Sequence, residues 1–193
     1  MHDVSAVVFD CFGVLYPTYV DNFFEKHRSS FGNDIELLDK LNAQIDLGQI
    51  SQTQFYKAIE METGIPVSQI KVEMEADLII DSQVLKLIII LKTKYKIGLL
   101  SNAGQEEISV IYKDKINGLF DAMSISYEVG DVKPNPKIFT ACLDKLHVLP
   151  EESVFVDDNI KNLAGAQRLG MQTIHYPTFG TIPNDLLALA NQN

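Results

Sequence analysis

Carboxylates close two short apolar runs of this sequence, one near its start and one in its last quarter. Residues 4–10 read VSAVVFD and end in Asp10, and residues 153–157 read SVFVD and are followed by a second acid, Asp158. Two adjacent carboxylates repel each other, so their placement in one cleft favours a divalent cation that neutralises both. The alternatives are a turn-capping aspartate at Asp10 and a helix N-cap at Asp158, and capping explains Asp158 but not Asp157.

A hydroxyl and a lysine occupy comparable places in the middle of the chain. Ser101 and Asn102 end the apolar run 97–101 and lead through Gly104 towards a helical pattern, where a hydroxyl and backbone N–H groups can hold an anion. Lys133 is followed by prolines at positions 134 and 136, which restrict the backbone beside this cation. A helix N-cap at Ser101 and a solvated surface position for Lys133 are the alternatives.

The runs that carry these polar residues are predicted to be strands of one parallel sheet, because they are short, β-branched and apolar. The predicted strands are 4–10, 97–101, 153–157 and, more weakly, 172–175. The helical patterns that alternate with them are 84–94, 106–115, 136–147 and 160–169. This alternation predicts a Rossmann-like, doubly wound α/β sheet, in which ligands bind beyond the carboxyl ends of the strands. The polar strand ends are therefore expected to meet at one edge.

Residues 15–80 do not follow the alternation of strand and helix. Helical patterns occur around 20–31, 34–46, 52–62 and 67–76, without a convincing strand among them. One helix start is well marked, because Ser51 followed by Gln54 forms a capping box. We therefore predict a core domain of residues 1–14 and 82–193 that is interrupted by an all-helical cap of residues 15–81.

Composition excludes several classes of protein. The 193 residues are 46% hydrophobic and 22% charged, as in an ordinary folded protein. Their formal charge of -10 disfavours nucleic acid and anionic membrane surfaces as partners, and no segment is apolar and long enough to span a membrane. The two cysteines, Cys11 and Cys142, are too few for a disulfide framework, so a cytoplasmic location is expected. Cys11 is expected to be a packed thiol.

Four motifs, in this order along the chain, resemble those of the haloacid dehalogenase-like hydrolase superfamily. They are FDCFGVL at 9–15, LSN at 100–102, KPNP at 133–136 and FVDDN at 155–159. The helical insertion after the first motif is similar to the small cap that many members of the superfamily carry. The resemblance therefore extends over essentially the whole chain.

The resemblance implies a Mg²⁺-dependent phosphohydrolase that acts on a small phosphorylated metabolite, a sugar phosphate being one candidate. Asp10 would attack phosphorus to give an aspartyl-phosphate, with Ser101 and Lys133 as further catalytic residues. The implied Mg²⁺ ligands are Asp10, Asp157, Asp158 and the main-chain carbonyl of Phe12. The implied holders of the phosphoryl oxygens are Ser101, the N–H of Asn102 and Lys133.

Phe12 departs from the pattern of the superfamily's phosphatases, most of which place a second Asp there as general acid and base. The chain could thus be a slow phosphatase, or could take the proton from water or from a cap residue. A 2-haloacid dehalogenase also has an aromatic residue here, but it uses no metal and usually lacks the acidic pair. A binding or regulatory module with weak catalysis is the third alternative. The cap residues named as candidates to line the cleft are Tyr16, Tyr19, Arg28 and Gln44.

Overall fold

Five parallel strands form a single sheet in the computed structural model, which describes residues 3–31, 35–76, 78–112, 116 and 118–191. The strands are β1 (Ala6–Phe9), β2 (Lys96–Ser101), β3 (Ala122–Ile125), β4 (Ser153–Asp157) and β5 (Gln172–His175). Their order across the sheet is β3-β2-β1-β4-β5, so β1 is central and pairs with both β2 and β4. The predicted doubly wound parallel sheet is confirmed.

Ten α-helices connect and cover the strands within the described residues. They are α1 (Tyr19–Lys26), α2 (Ile35–Asp46), α3 (Gln52–Thr63), α4 (Val67–Ala76), α5 (Ser82–Leu91), α6 (Gln105–Tyr112), α7 (Ser126–Val129), α8 (Pro136–Leu146), α9 (Ile160–Arg168) and α10 (Asn184–Asn191). Short 3₁₀ turns occupy Arg28–Phe31 and Pro150–Glu152. The last three residues of the helix predicted at 106–115 lie outside the described residues. In the described part of the chain, no helix is long and apolar enough to cross a membrane.

The central strand buries both of its faces, because successive side chains of a strand point to opposite sides of the sheet. Val7 and Phe9 belong to a cluster that includes residues of α5, α6 and α10. Ala6 and Val8 belong to a second cluster with residues of α8 and α9. This burial on two sides explains why the strand reads as a continuous apolar run rather than an alternating one.

Helices α1 to α4 enclose a third apolar cluster that is rich in aromatic side chains. Its most buried members include Phe31, Phe55 and Ile59. The capping box at the start of α3 is present, with the Ser51 hydroxyl accepting from Gln54 N and the Gln54 side chain accepting from Ser51 N. At the base of the four helices, Asp81 N donates to Leu15 O over 2.8 Å, so the two chain connections run side by side. The exact division at 14/15 and 81/82 stays a prediction.

Candidate active site

The carboxyl ends of β1 and β4 bring together two of the predicted acids. The chain leaves β1 for β2 and β3 on one side of the sheet and then crosses to β4 and β5 on the other. Asp10 directly follows β1, Asp157 is the last residue of β4, and Asp10 N donates to Val156 O over 2.9 Å. The two acids therefore lie where the strand order reverses, which is the usual place for a ligand site in such sheets.

A buried lysine joins these two carboxylates. The Nζ of Lys133 lies 2.5 Å from Asp10 Oδ1 and 2.9 Å from Asp157 Oδ2, and only 2% of the lysine side chain is exposed. Asp157 also accepts from Asn162 Nδ2, at 3.1 and 3.2 Å, and from Asn159 N at 2.7 Å. Because buried charges are costly unless paired, this arrangement keeps each member of the network compensated.

Asn102 and Gly165 determine where the loop that carries Lys133 lies. The side chain of Asn102 accepts from Lys133 N over 2.7 Å and donates to Lys133 O over 3.3 Å. Gly165 in α9 lets the loop approach, because a Cβ at this position would lie 2.6 Å from Pro134 O. A glycine inside a helical pattern is the sequence signal for such a close contact. Asn102, whose main-chain N–H is the group predicted to hold a phosphoryl oxygen, thus also positions Lys133 through its side-chain amide.

The turn after β1 leaves room for a third carboxylate, that of Asp158, which directly follows β4. Leu15 N and Tyr16 N both donate to Cys11 O, and Gly13 adopts φ +90°, a conformation that glycine adopts readily. A Cβ on Gly13 would lie 2.4 Å from the Cγ of Asp158, so a side chain here would displace that carboxylate. Asp10, Asp157 and Asp158 each offer an oxygen atom within 4.8 Å of the others. Clustered carboxylate oxygens are the ligands that Mg²⁺ prefers, so this donor set fits the ion.

Burial and charge repulsion raise the pKa of two acids of this cluster, Asp10 and Asp158. Burial and the Asp157 carboxylate raise the pKa of Asp10, whereas Lys133 lowers it. Burial and Asp157 raise the pKa of Asp158 to about 6. Burial lowers the pKa of Lys133, but Asp10 and Asp157 outweigh it, so the net pKa is raised and the side chain stays cationic. A cation among the three acids would relieve the repulsion that produces these shifts.

The remaining predicted residues of the core lie beside this network. Ser101 is fully buried at the end of β2, and its hydroxyl makes a long 3.4 Å contact with Asn102 O. Cys11 is a buried free thiol whose pKa is raised by burial and by Asp10. A neutral packed thiol is a poor nucleophile.

A cavity of about 170 Å³ opens between the cap and the core, next to Phe12. Its walls are formed by Phe12, Thr18, Tyr19, Val20, Asp21, Asn42, Ile45, Asp46, Phe55, Asn102 and Glu107. The rings of Phe12 and Tyr19 pack at a centroid distance of 5.3 Å. The side chain that replaces the second Asp of the first motif is therefore part of an aromatic wall.

Of the side chains that the structure describes along this cavity, three are acidic and none is basic. Glu107 accepts from the Tyr19 hydroxyl and from Gly104 N, and burial raises its pKa. Burial and Glu107 raise the pKa of Asp46 to about 7, against a smaller opposing effect of Lys133. Asp21 is exposed at the rim. None of these three acids belongs to the four motifs of the sequence.

The family model for the haloacid dehalogenase-like hydrolases matches residues 4–170. This chain belongs to that family. The resemblance of the four motifs to this family of hydrolases is thereby confirmed.

Relatives of this haloacid dehalogenase-like hydrolase include named phosphatases. The D-ribitol-5-phosphate phosphatase of Bacteroides thetaiotaomicron is 32% identical over 101 residues, which cover 49% of each protein. The glyceraldehyde 3-phosphate phosphatase of Methanopyrus kandleri is 47% identical over 60 residues, 31% of this chain and 26% of that protein. The matches thus span half or less of these curated relatives. A solved structure, the magnesium complex of a HAD family enzyme from B. thetaiotaomicron, is 28% identical with a TM-score of 0.78, covering 95% of this chain and 98% of that one.

The candidate cap residues have different places in this hydrolase. Tyr19 lines the cap–core cavity, whereas Tyr16 packs within the cluster of the core that contains Val7. Arg28 pairs with Glu25 at 3.2 Å and lines a different cavity, inside the cap. Gln44 does not line the cap–core cavity.

Proposed function

We propose that this chain is a Mg²⁺-dependent phosphohydrolase of small phosphomonoesters that works through an aspartyl-phosphate on Asp10. The observation that carries the proposal is the buried lysine between Asp10 and Asp157 with the Asp158 carboxylate beside them. Phosphatases among the relatives, and the magnesium complex of a structural neighbour, support the same chemistry.

Asp10 is the proposed nucleophile. Its carboxylate attacks phosphorus and the ester oxygen leaves, so one difficult hydrolysis becomes two easier displacements. Lys133 holds a positive charge at Asp10 Oδ1, which favours the ionised and nucleophilic form of the acid. Lys133, the Ser101 hydroxyl and the N–H of Asn102 are the groups proposed to hold the phosphoryl oxygens.

The side chains of Asp10, Asp157 and Asp158 and the main-chain carbonyl of Phe12 are the proposed holders of Mg²⁺. When bound, the ion supplies positive charge that offsets the repulsion between a carboxylate nucleophile and an anionic phosphate. Gly13 serves this arrangement by leaving the space that Asp158 occupies.

The substrate is proposed to be small and not a nucleic acid. The 170 Å³ cavity suits the leaving group of a short-chain or sugar phosphate, and the net charge of -10 repels polyanions. The buried free thiols of Cys11 and Cys142 are consistent with a reducing compartment, and we propose the cytoplasm.

The cavity weighs against 2-haloacids as substrates. Three carboxylic acids, Asp21, Asp46 and Glu107, line it, and a 2-haloacid would bring a further carboxylate among them. A phosphomonoester places its negative charge at Lys133 and directs its leaving group into the acidic cavity. Retention of the nucleophile, lysine and acidic cluster together also favours turnover over a purely regulatory role.

Phosphate release from a panel of sugar, polyol and nucleotide monophosphates, with and without Mg²⁺, tests this function. We expect release that requires Mg²⁺ and falls about 10³-fold or more in Asp10→Asn, because the nucleophile is lost. Asp144→Asn, the same change on an exposed helix surface, is the matched control. Halide release from a 2-haloacid without metal, or near-normal activity of Asp10→Asn, would refute the proposal.

A further inference from the structure

Position 12 of the proposed phosphatase, a phenylalanine, cannot supply the proton that the reaction needs. An alkoxide is a poor leaving group, and general acid and base help typically contributes about 10²–10⁴-fold. The phenyl ring at position 12 can neither give nor take a proton, and it packs against Tyr19 in the cavity wall. The donor must therefore come from water or from another side chain that reaches the leaving group.

The cap–core cavity contains three side-chain acids that could fill this role, and their surroundings differ. Asp21 lies exposed at the rim. Glu107 already accepts from the Tyr19 hydroxyl and Gly104 N, which fixes its carboxyl group. Asp46 is half-buried, and its carboxyl group has no hydrogen-bond partner among the residues that the structure describes.

We propose that Asp46 is the general acid and base of this hydrolase, in place of the acid that Phe12 lacks. The proposal rests on the phosphohydrolase function of the same site. It follows from three features of the cavity: Asp46 shares its wall with Phe12 and Asn102, its carboxyl group is uncommitted, and its backbone is anchored to the core.

That anchor is the hydroxyl of Ser126. It donates to the main-chain oxygen of Asp46, the last residue of α2, and accepts from Ala103 N over 2.9 Å. One core side chain thus ties the end of a cap helix to the loop that follows Ser101 and contains Asn102. Asp46 is therefore held at a set position relative to the proposed phosphate-binding loop, although it belongs to the cap.

The charges around Asp46 suit both directions of proton transfer. Glu107 from α6 and Asp21 from α1 oppose its ionisation, Lys133 favours it, and Tyr19 is neutral. With its pKa raised to about 7 by burial and Glu107, the group can be a donor and then an acceptor near neutral pH.

The proposed proton transfers balance over the two displacements. In the first, Asp10 forms a bond to phosphorus, the ester P–O bond breaks, and the leaving oxygen takes the proton of the Asp46 carboxyl group. In the second, water attacks the aspartyl-phosphate, its proton passes to the Asp46 carboxylate, and the acyl phosphate bond breaks. Phosphate leaves, and Asp10 ionised and Asp46 protonated are restored.

Leaving groups of different basicity test the proposal directly. The probes are p-nitrophenyl phosphate, whose phenolate leaves readily without a proton, the similarly shaped phenyl phosphate, and sn-glycerol 3-phosphate. In Asp46→Asn we expect kcat/KM to fall about 10²-fold or more for phenyl and glycerol phosphates, and less than about 3-fold for p-nitrophenyl phosphate. Asp21→Asn, the same change at the cavity rim, should leave this ratio unaltered.

Two further readouts separate proton transfer from a structural role. With phenyl phosphate, the fall in wild-type rate as pH rises through about 7 should disappear in Asp46→Asn. In Glu107→Gln this fall should move to lower pH, because a repelling charge near Asp46 is removed. Phe12→Asp added to Asp46→Asn should recover part of the lost activity on phenyl phosphate.

Several outcomes would overturn the assignment. An equal loss on all three esters in Asp46→Asn would show a role in folding or binding, and a selective loss in Asp21→Asn would assign the acid to the rim. If wild-type protein with Mg²⁺ leaves p-nitrophenyl phosphate intact, the proposed phosphohydrolase function itself fails, and Asp46 fails with it.

Discussion

Two aspartates of this hydrolase, Asp157 in the core and Asp46 at the end of a cap helix, meet different surroundings. Asp157 is fully buried and accepts from Lys133, Asn162 and the backbone N–H of Asn159. Asp46 is half-buried beside another acid, Glu107, and its carboxyl group has no hydrogen-bond partner in the described part of the chain. The buried carboxylate of Asp157 is thus compensated by a cation, whereas the half-buried carboxyl group of Asp46 is repelled by a second acid.

The contrast indicates different tasks for the two carboxyl groups. A buried acid that receives several hydrogen bonds and an ion pair is held in one position. An acid without a partner, next to another acid, can change its protonation at little cost near neutral pH. The core network accordingly suits fixed charges around phosphate, and the cavity suits proton transfer.

Lys133 is the cation that compensates Asp157 and Asp10, and its removal should have the largest effect on stability. Lys133→Met leaves Asp10 and Asp157 buried side by side without their cation. We expect the free energy of unfolding in urea, at pH 8 without Mg²⁺, to fall by about 3–5 kcal/mol. Lys137→Met, an exposed lysine in the following helix, should change it by less than about 0.5 kcal/mol.

The pH dependence of the same variant tests the cause. Without Lys133, the folded-state pKa of Asp10 rises further above its ordinary value, so protonation of this acid favours the folded state. The deficit relative to wild type should therefore shrink when the pH is lowered from 8 to 5. Added Mg²⁺ should also reduce the deficit at pH 8. A deficit that is independent of both would indicate lost packing of the lysine chain instead.

The residues of the core network were largely predictable, because they lie at or next to the ends of strands that can be recognised in the sequence. Asp10, Ser101 and Asp157 end apolar runs, and parallel strands bring such ends to one edge. The distances between these residues were not predictable, and neither was the clamp of Asn102 on the backbone of Lys133. That contact joins two loops through side-chain geometry, which no spacing in the sequence encodes.

The cavity acids could not be predicted in this way. Asp46 belongs to a helix of the cap and Glu107 to a helix of the core, far apart in sequence. Nothing in the sequence pattern of either helix distinguishes these acids from other helical residues. Their proximity depends on how the cap sits on the core.

The strand β3 was not predicted from the sequence. It is an edge strand that pairs with β2 alone, and its sequence, AMSI, has four residues of which only isoleucine is β-branched.

A methyl group at Gly165 of α9 should disturb the buried network around Lys133 and Asp157 less than the loss of the lysine does. Alanine normally stabilises a helix interior relative to glycine, but a Cβ at Gly165 would lie 2.6 Å from Pro134 O. We expect Gly165→Ala to lower the free energy of unfolding by about 1–3 kcal/mol and to reduce phosphatase activity, since the displaced loop carries Lys133.

Ala164→Gly in the same helix is the control for helix propensity. It should cost about 0.5–1 kcal/mol and leave activity unchanged, because it adds no atom that could displace the lysine loop. A gain in stability for Gly165→Ala would show that the loop yields to the methyl group without cost, and would remove this contact from the support of Lys133.

The smallest effect is expected for Asp46, in the pH dependence of the free energy of unfolding. The folded-state pKa of Asp46 is about 7, above its ordinary value of 3.8. The free energy of unfolding therefore falls as pH rises between these values, because the carboxylate ionises less readily in the folded state. Asp46→Asn removes this fall, and its stability relative to wild type in urea should be greater at pH 8 than at pH 5. Partial exposure keeps the difference small, because water screens the charge. Asp144→Asn should run parallel to wild type over this range. If Asp46→Asn also runs parallel, the Asp46 carboxyl group is not held in a repelling site, and the contrast with Asp157 is lost.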